Sequence, residues 1–412
     1  MLGAVRDVDV DLSQAAKLGN EILGKISRVR EVDPIYWSEK NQLWMVTGHR
    51  EVFEGFKGDL PLTNNRWPQM LVGHLSPEER AARFPHITKS TPSWIVNVDA
   101  PVHPRLRRLC VKAFSRPVVE GMRPHARRFI QEALDEAGAL GQVEFVATVA
   151  RKIPARTILQ MMGLSDALYP KLHRWSIVMN GALGGIHPPI EMLEECEAVI
   201  GEQRSLFAAE IEARRRNPGS DFMSALVTAQ DAGDQLSTEE MLGICHVALI
   251  AGHDTTANTL ALGTAALAQL PEAREFIRNH PEKTGDAIME LMRYVAMSTT
   301  QMRSVAEDFV WHGHQLKKGQ FVLLMVAGAN RDPKVFPDPE RMDMTRPQDQ
   351  NMTFGPGMHH CIGHLLAKMQ LGEFFPELLQ RYEPELLEER LNFGHALGFR
   401  GVDALNIKLH RR

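Results

Sequence analysis

Phe354-Gly355-Pro356-Gly357-Met358-His359-His360-Cys361-Ile362-Gly363 is a glycine-rich turn that presents one cysteine just before an apolar helical run from Leu365 to Gly372. Cysteine binds a metal as thiolate, and the positive end of a helix with its free N–H groups lowers a thiol's pKa and supports the sulfur charge. A cysteine placed here can stay anionic. Gly355, Gly357 and Gly363 remove side chains where the backbone must lie close to a flat partner, and glycine also admits positive φ. Two other readings fit the same residues: a buried structural cysteine, and a zinc site joining Cys361 to His359, His360 or His364. A structural zinc wants four ligands in paired spacings, and no second Cys/His cluster follows.

The spacing F-x-x-G-x-x-x-C-x-G resembles the cysteine-ligand loop of the cytochrome P450 monooxygenases. That resemblance implies haem b (iron protoporphyrin IX), with Cys361 as axial ligand of the iron, Phe354, Gly355 and Gly363 around it, and His359 on a haem propionate. His360 receives no task.

Further motifs extend the resemblance along the chain. Asp99-Ala100-Pro101-Val102-His103-Pro104-Arg105-Leu106-Arg107 opens a helix with proline in its first turn, where the missing N–H costs little. At 3.6 residues per turn His103, Arg107, Cys110 and Phe114 share a stripe about 60° wide, so a histidine and an arginine on an inward face require an acidic partner. The family's H-x-x-x-R pattern implies that the partner is a haem propionate. Arg105, Arg108 and Lys112 lie roughly 140–200° from His103 and read as a solvated basic face.

Ser237 and Glu240 have capping-box spacing at the start of a long helix. Inside that helix lies Ala251-Gly252-His253-Asp254-Thr255-Thr256, and hydroxyl and β-branched residues weaken a helix interior. The six residues resemble the family's A-G-x-D/E-T-T oxygen-activation motif, which implies that Ala251 and Thr255 border the haem, that Gly252 leaves room above the iron and that Asp254 and Thr255 deliver protons. A simple kink at Gly252 is the alternative. Glu290-Leu291-Met292-Arg293 sets an acid and a base at i, i+3 and matches the family's E-x-x-R, with Arg341 expected as the third member of a buried, structural Glu-Arg-Arg network bracing the cysteine loop. Arg303 matches a propionate-binding arginine. One departure is Met297, where similar proteins commonly carry proline.

Helical patterns run over 14–25, 102–114, 118–137, 145–162, 166–179, 190–216, 238–269, 271–280, 287–295 and 364–381, and strands are expected at 35–37, 43–46, 309–310 and 321–324. The chain is therefore expected to be mainly α with small β-sheets. The resemblance implies a single-domain cytochrome P450 fold over 1–412, with haem between the long oxygen-activating helix and the cysteine-ligand loop. No linker, repeat or charge block divides the sequence. With 47 basic and 51 acidic side chains the net charge is −4, which gives no nucleic-acid signature. Cys110, Cys196, Cys245 and Cys361 lack a disulfide framework, and the N-terminus has no apolar signal core, so a reducing cytoplasm is expected. The most apolar stretch, 247–270, is interrupted by His253, Asp254 and Asn258, making it a poor membrane span.

The activity implied is insertion of one atom of O₂ into a small apolar substrate while the other is reduced to water. A peroxygenase using H₂O₂ and a non-catalytic haem sensor or carrier are the rivals, and neither has need of the Asp254-Thr255 pair. Trp94, Ile95, Val96, Leu249, Val295, Thr299 and Leu397 occupy segments that line the substrate pocket in similar proteins. No reductase or flavin segment is visible, so a separate ferredoxin and its NAD(P)H-dependent reductase are expected, steered by Arg105, Arg108 and Lys112.

Overall fold

The computed structural model describes residues 8–231, 234–394 and 398–412. Helices dominate. Those that carry the residues singled out above are α1 (His49–Lys57), α2 (Val102–Cys110), α3 (Tyr169–Leu183), α4 (Ile190–Arg216), α5 (Thr238–Ala251), α6 (Asp254–Gln269), α7 (Thr284–Val295) and α8 (His364–Arg381). The strands used below are β1 (Ile35–Ser38), β2 (Leu43–Val46), β3 (Gln142–Glu144), β4 (Gln301–Val305), β5 (Phe321–Leu324), β6 (Tyr382–Leu386) and β7 (Asn406–Arg411).

The chain forms two compact units. The first takes the described residues of Met1–Leu62, Arg127–Ile153 and Thr255–Arg412. In it β1 pairs antiparallel with β2, β5 runs parallel to β2 and antiparallel to β4, and Arg303 on β4 stands opposite Val322. A second sheet sets β7 between β6 and β3, both antiparallel. These strands lie far apart in sequence and were not foreseen: β7 alternates exposed and buried residues, but Ile407 and Leu409 are its only apolar residues, too few to mark a strand beside Lys408, His410 and Arg411. The core packs Leu260, Leu291, Phe374, Phe375 and Leu378 from α6, α7 and α8 around Phe145. Full burial of each such side chain contributes about 1.5–3 kcal/mol. Gly263 is fixed by this packing, since a Cβ there would stand 2.5 Å from Phe375 Cζ.

The second unit takes Thr63–Ala126 and Pro154–Asp254. Here α4 lies against α3 and α5 and buries Leu193, Cys196 and Phe207. The cap of α5 is as expected: Ser237 Oγ accepts from the Glu240 amide at 3.3 Å, and Glu240 Oε2 accepts from the Ser237 amide at 2.8 Å.

The expected helix over 238–269 is two helices, α5 and α6, broken at Gly252 and His253. His253 Nδ1 lies 2.7 Å from Leu249 O, the carbonyl that the His253 amide would take in an unbroken helix. A side chain inserted into the i→i−4 ladder breaks it. The 102–114 pattern likewise ends as a 3₁₀ turn, Val111–Phe114, and 145–162 begins as a π turn, Val146–Ala150. Among the described residues no helix is long and apolar enough to cross a membrane.

Replacing Gly263 by leucine should lower stability by about 1–3 kcal/mol, because overpacking forces α6 and α8 apart. Urea unfolding midpoints check this. An unchanged midpoint would show that Phe375 yields freely.

Candidate functional site

In the first unit the chain leaves Phe354 through two left-handed glycines, Gly355 (φ 67°) and Gly357 (φ 82°). The Cys361 amide returns to Phe354 O at 2.9 Å, which closes the loop, and α8 starts after Gly363. The two turn glycines have a protein reason: a Cβ at Gly357 would lie 2.5 Å from Phe56 O, and one at Gly355 would lie 3.2 Å from the Phe56 ring, at the end of α1. Gly363 differs. Among the described residues, its own chain neighbours aside, no atom stands within 4 Å of the place a Cβ would take. Cys361 is exposed, whereas Cys110, Cys196 and Cys245 are buried, and burial pushes those thiols up to about 11, 12 and 12. His364 Nδ1 contacts Cys361 O at 2.8 Å, His360 packs edge-on against His364, and Lys368 lies over the Phe354 ring.

Behind the loop, Glu290 and Arg293 are both wholly buried. Arg293 spends all five N–H donors: Nε and Nη2 on Glu290 at 2.7 and 2.9 Å, Nη1 on Asn330 O and Pro339 O at 2.9 and 2.8 Å, and Nη2 on Arg341 O at 3.1 Å. Glu290 also accepts from the Asp343 amide at 2.9 Å and from Arg346 Nε and Gln348 Nε2, each at 3.3 Å. The third arginine of the network is therefore Arg346, not Arg341. Arg341 is exposed and contributes its backbone carbonyl alone, since the chain reaches Glu290 only at Asp343 and beyond. Asn351 Nδ2 on Met289 O at 2.9 Å and the Met352 amide on Asn330 Oδ1 at 2.8 Å carry the brace to within two residues of Phe354. Arg303 is buried, donates to Met302 O at 2.9 Å and lies over the Phe56 ring. Val295 and Met297 belong to the apolar core, and Thr299 Oγ1 is buried without a hydrogen-bond partner among the described residues. Thr255 is half-buried, and its carbonyl accepts from Thr259 Oγ1 at 2.8 Å.

In the second unit α2 turns His103, Cys110 and, beyond it, Phe114 inward, with Arg107 half-buried on the same stripe. Arg108 and Lys112 are exposed as expected. Arg105 is not available to a partner: it is paired with Asp234 and Glu240. Asp254 is held by Asn180 Nδ2 at 2.6 Å and lies 3.2 Å from His253 Nε2, which Ser176 Oγ meets at 2.6 Å. Ser176, Asn180 and His253 were not singled out in the sequence, where nothing ties α3 to the helix break. Gly252 has a reason within the unit, because a Cβ there would meet Ala248 O at 2.4 Å and Ile158 Cδ1 at 2.9 Å. The expectation that it leaves room above the iron is thus not needed to explain it. Ala251 is exposed, Leu249 and Ile95 are buried, Val96 is exposed, and Trp94 stacks on His246 at 4.7 Å. Leu397 lies outside the described residues.

Against known proteins, residues 74–392 match the family model described as Cytochrome P450. The chain belongs to the cytochrome P450 family. It is 33% identical to the mycinamicin IV hydroxylase/epoxidase of Micromonospora griseorubida over 88% of each chain, and 32% identical to the 6-deoxyerythronolide B hydroxylase of Saccharopolyspora erythraea over 76% of each. Among solved structures, P450BioI in complex with hexadec-9Z-enoic acid ligated acyl carrier protein superposes with a TM-score of 0.86 at 25% identity, covering 97% of this chain and 100% of that one. This cytochrome P450 is accordingly a monooxygenase, an oxidoreductase that incorporates molecular oxygen, and its cofactor is haem b.

The residues present fit that cofactor. Among the described residues no three His, Cys, Asp or Glu side chains converge on a metal position, so the zinc alternative lacks its ligands. One exposed thiol would suit an iron whose remaining ligands arrive with the porphyrin. Gly363, beside Cys361, offers the side-chain-free surface that a flat ring requires.

Arg346→Ala should cost about 1.5–3 kcal/mol, the range for hydrogen bonds to a charged group, whereas Arg341→Ala should stay within about 0.5 kcal/mol. Urea unfolding of both variants separates them. Equal losses would restore Arg341 to the network.

Proposed function

We propose that this cytochrome P450 oxidises a small apolar organic substrate, by hydroxylation or a related oxidation, with electrons from a separate ferredoxin and its NAD(P)H-dependent reductase. The observation that carries the proposal is Cys361: the one exposed cysteine among four, set on a braced loop at the head of α8. Its helix N-terminus supports a thiolate, and thiolate is the ligand that gives a haem iron the electron density for O–O cleavage. When bound, the haem supplies the activation of dioxygen, which no side chain performs.

The chain's own residues do the rest. Asp254 and Thr255 hold and pass protons, Asp254 through the carboxylate that Asn180 orients and Thr255 through its hydroxyl. His103, Arg107, Arg303 and His359 neutralise the propionates, while Phe354, Gly355, Gly363 and Ala251 border the ring. Trp94, Ile95, Val96, Leu249, Val295 and Thr299 supply a mainly apolar surface to the substrate. On this reading the 412 residues work as one haem-binding domain. Its setting is the cytoplasm, without membrane or nucleic acid as partner. The exposed Arg108 and Lys112 attract an acidic ferredoxin, and hydroxylase and epoxidase relatives support the reaction class.

Turnover with ferredoxin and reductase under isotopically labelled O₂ tests this proposal. One labelled atom should appear in product, and the Arg108→Glu, Lys112→Glu double variant should slow reduction at low salt while the substrate-induced absorbance shift persists. Product oxygen drawn from water would contradict the reaction, and an unchanged reduction rate would contradict the docking face.

A further inference from the structure

We propose that Trp67, Trp94 and His246 form a polar subsite in the second unit that takes a neutral oxygen, carbonyl or hydroxyl, carried by the otherwise apolar substrate. The proposal rests on the reading of Trp94 and Leu249 as substrate-lining residues and adds the chemistry that such a surface recognises.

The chain around the three rings fixes them. A Cβ at Gly243 would lie 2.4 Å from Ser93 O, so the missing side chain lets the 3₁₀ turn Thr91–Ser93 settle on α5. Trp94 follows that turn and His246 stands three residues along α5 from Gly243. The two rings stack at 4.7 Å with 16° between their planes. Asn97 ties in the third ring. Its Oδ1 accepts from the amides of Arg66 and Trp67 at 3.0 and 3.1 Å, and its Nδ2 donates to Thr91 O at 3.0 Å. Trp67 then meets Trp94 edge-on at 6.5 Å.

These rings are apolar bodies with polar edges, and the edges are unmet. Trp94 is 2% exposed and His246 4%, yet Trp94 Nε1, Trp67 Nε1 and His246 Nε2 are buried without a hydrogen-bond partner among the described residues. The large majority of buried side-chain polar atoms have one. An indole N–H only donates, so each tryptophan requires an acceptor. Burial, reinforced by the charge of Arg204, pushes the His246 imidazole down to about 3. The ring is therefore neutral, and Nε2 donates or accepts according to its tautomer. A carbonyl or hydroxyl oxygen suits each of these atoms. All three belong to uncharged rings, which match an uncharged oxygen better than a carboxylate, whose burial demands a cation. Ile95, next to Trp94, and Leu249, one turn beyond His246, are buried and apolar. That is the setting in which a few placed polar groups orient a ligand.

Cyclododecanone and cyclododecane, matched in ring and differing by one oxygen, test the proposal on the holoenzyme. The reduced, carbon monoxide-bound form is diamagnetic, and nitrogen NMR of labelled tryptophan, with Trp94→Phe and Trp67→Phe for assignment, reads the indole N–H groups directly. The Trp94 indole proton should lie further downfield with the ketone than with the hydrocarbon, whether or not a water holds the place beforehand. Identical positions with the two ligands, unmoved signals included, overturn the proposal. Dissociation constants read from the haem absorbance shift give the second arm. Trp94→Phe and His246→Phe keep a ring in the stack and remove its nitrogen, and each should lower the affinity for the ketone relative to the hydrocarbon by about tenfold, the effect of one neutral hydrogen bond. A ratio unchanged in both variants overturns the proposal as well. A ketone that moves the Trp94 signal without moving the haem absorbance upholds the subsite and overturns instead the reading of Trp94 as substrate-lining.

Discussion

Arg293 donates two hydrogen bonds to Glu290 in a wholly buried site, and the guanidinium has three more donors that end on the carbonyls of Asn330, Pro339 and Arg341. Desolvating such a pair offsets much of its Coulomb attraction, so its importance is not net stability. Its importance is geometric. A planar fork with five fixed donors specifies where three separated carbonyls lie, and lysine could not do this. Glu290 does the same for the Asp343 amide and the side chains of Arg346 and Gln348. The irregular segment from Asn330 to Thr353 is thereby folded onto α7.

The cysteine loop inherits that order. Met352 and Gly355 are tied through Asn330 Oδ1 and Met352 O at 2.8 Å each, and Gly357 can approach Phe56 only because it has no Cβ. Cys361 is then delivered to the head of α8 on a loop with little freedom. A ligand so placed loses little conformational entropy on binding, which is how a single protein–metal bond can hold a cofactor firmly in register.

Local signals were legible and distant ones were not. The capping box at Ser237 and Glu240, the spans 190–216 and 364–381, and the Glu290–Arg293 pair all rest on neighbours within one or two turns, and the structure has them. Arg346 was missed because its partner is 56 residues away, and Arg341 was preferred on family spacing alone. From sequence, the break at Gly252 and His253 is weighed only as a kink: the polar residues of 251–256 mark the place, but not that one imidazole takes the Leu249 carbonyl where α5 ends. The glycines show the same limit. Gly355, Gly357 and Gly252 read as clearance for a ring or an iron, yet Phe56 and Ile158 crowd the places their Cβ atoms would take. Gly363 has no such neighbour among the described residues.

The most direct test of the thiolate assignment is the absorbance of the reduced, carbon monoxide-bound protein, wild type beside Cys361→Ser. A thiolate ligand shifts the Soret band far to the red because sulfur pushes charge onto the iron, and a neutral hydroxyl does not. The wild type should show the red-shifted band and Cys361→Ser should lose it while Cys110→Ser, Cys196→Ser and Cys245→Ser retain it. The same red-shifted band in Cys361→Ser would contradict the account.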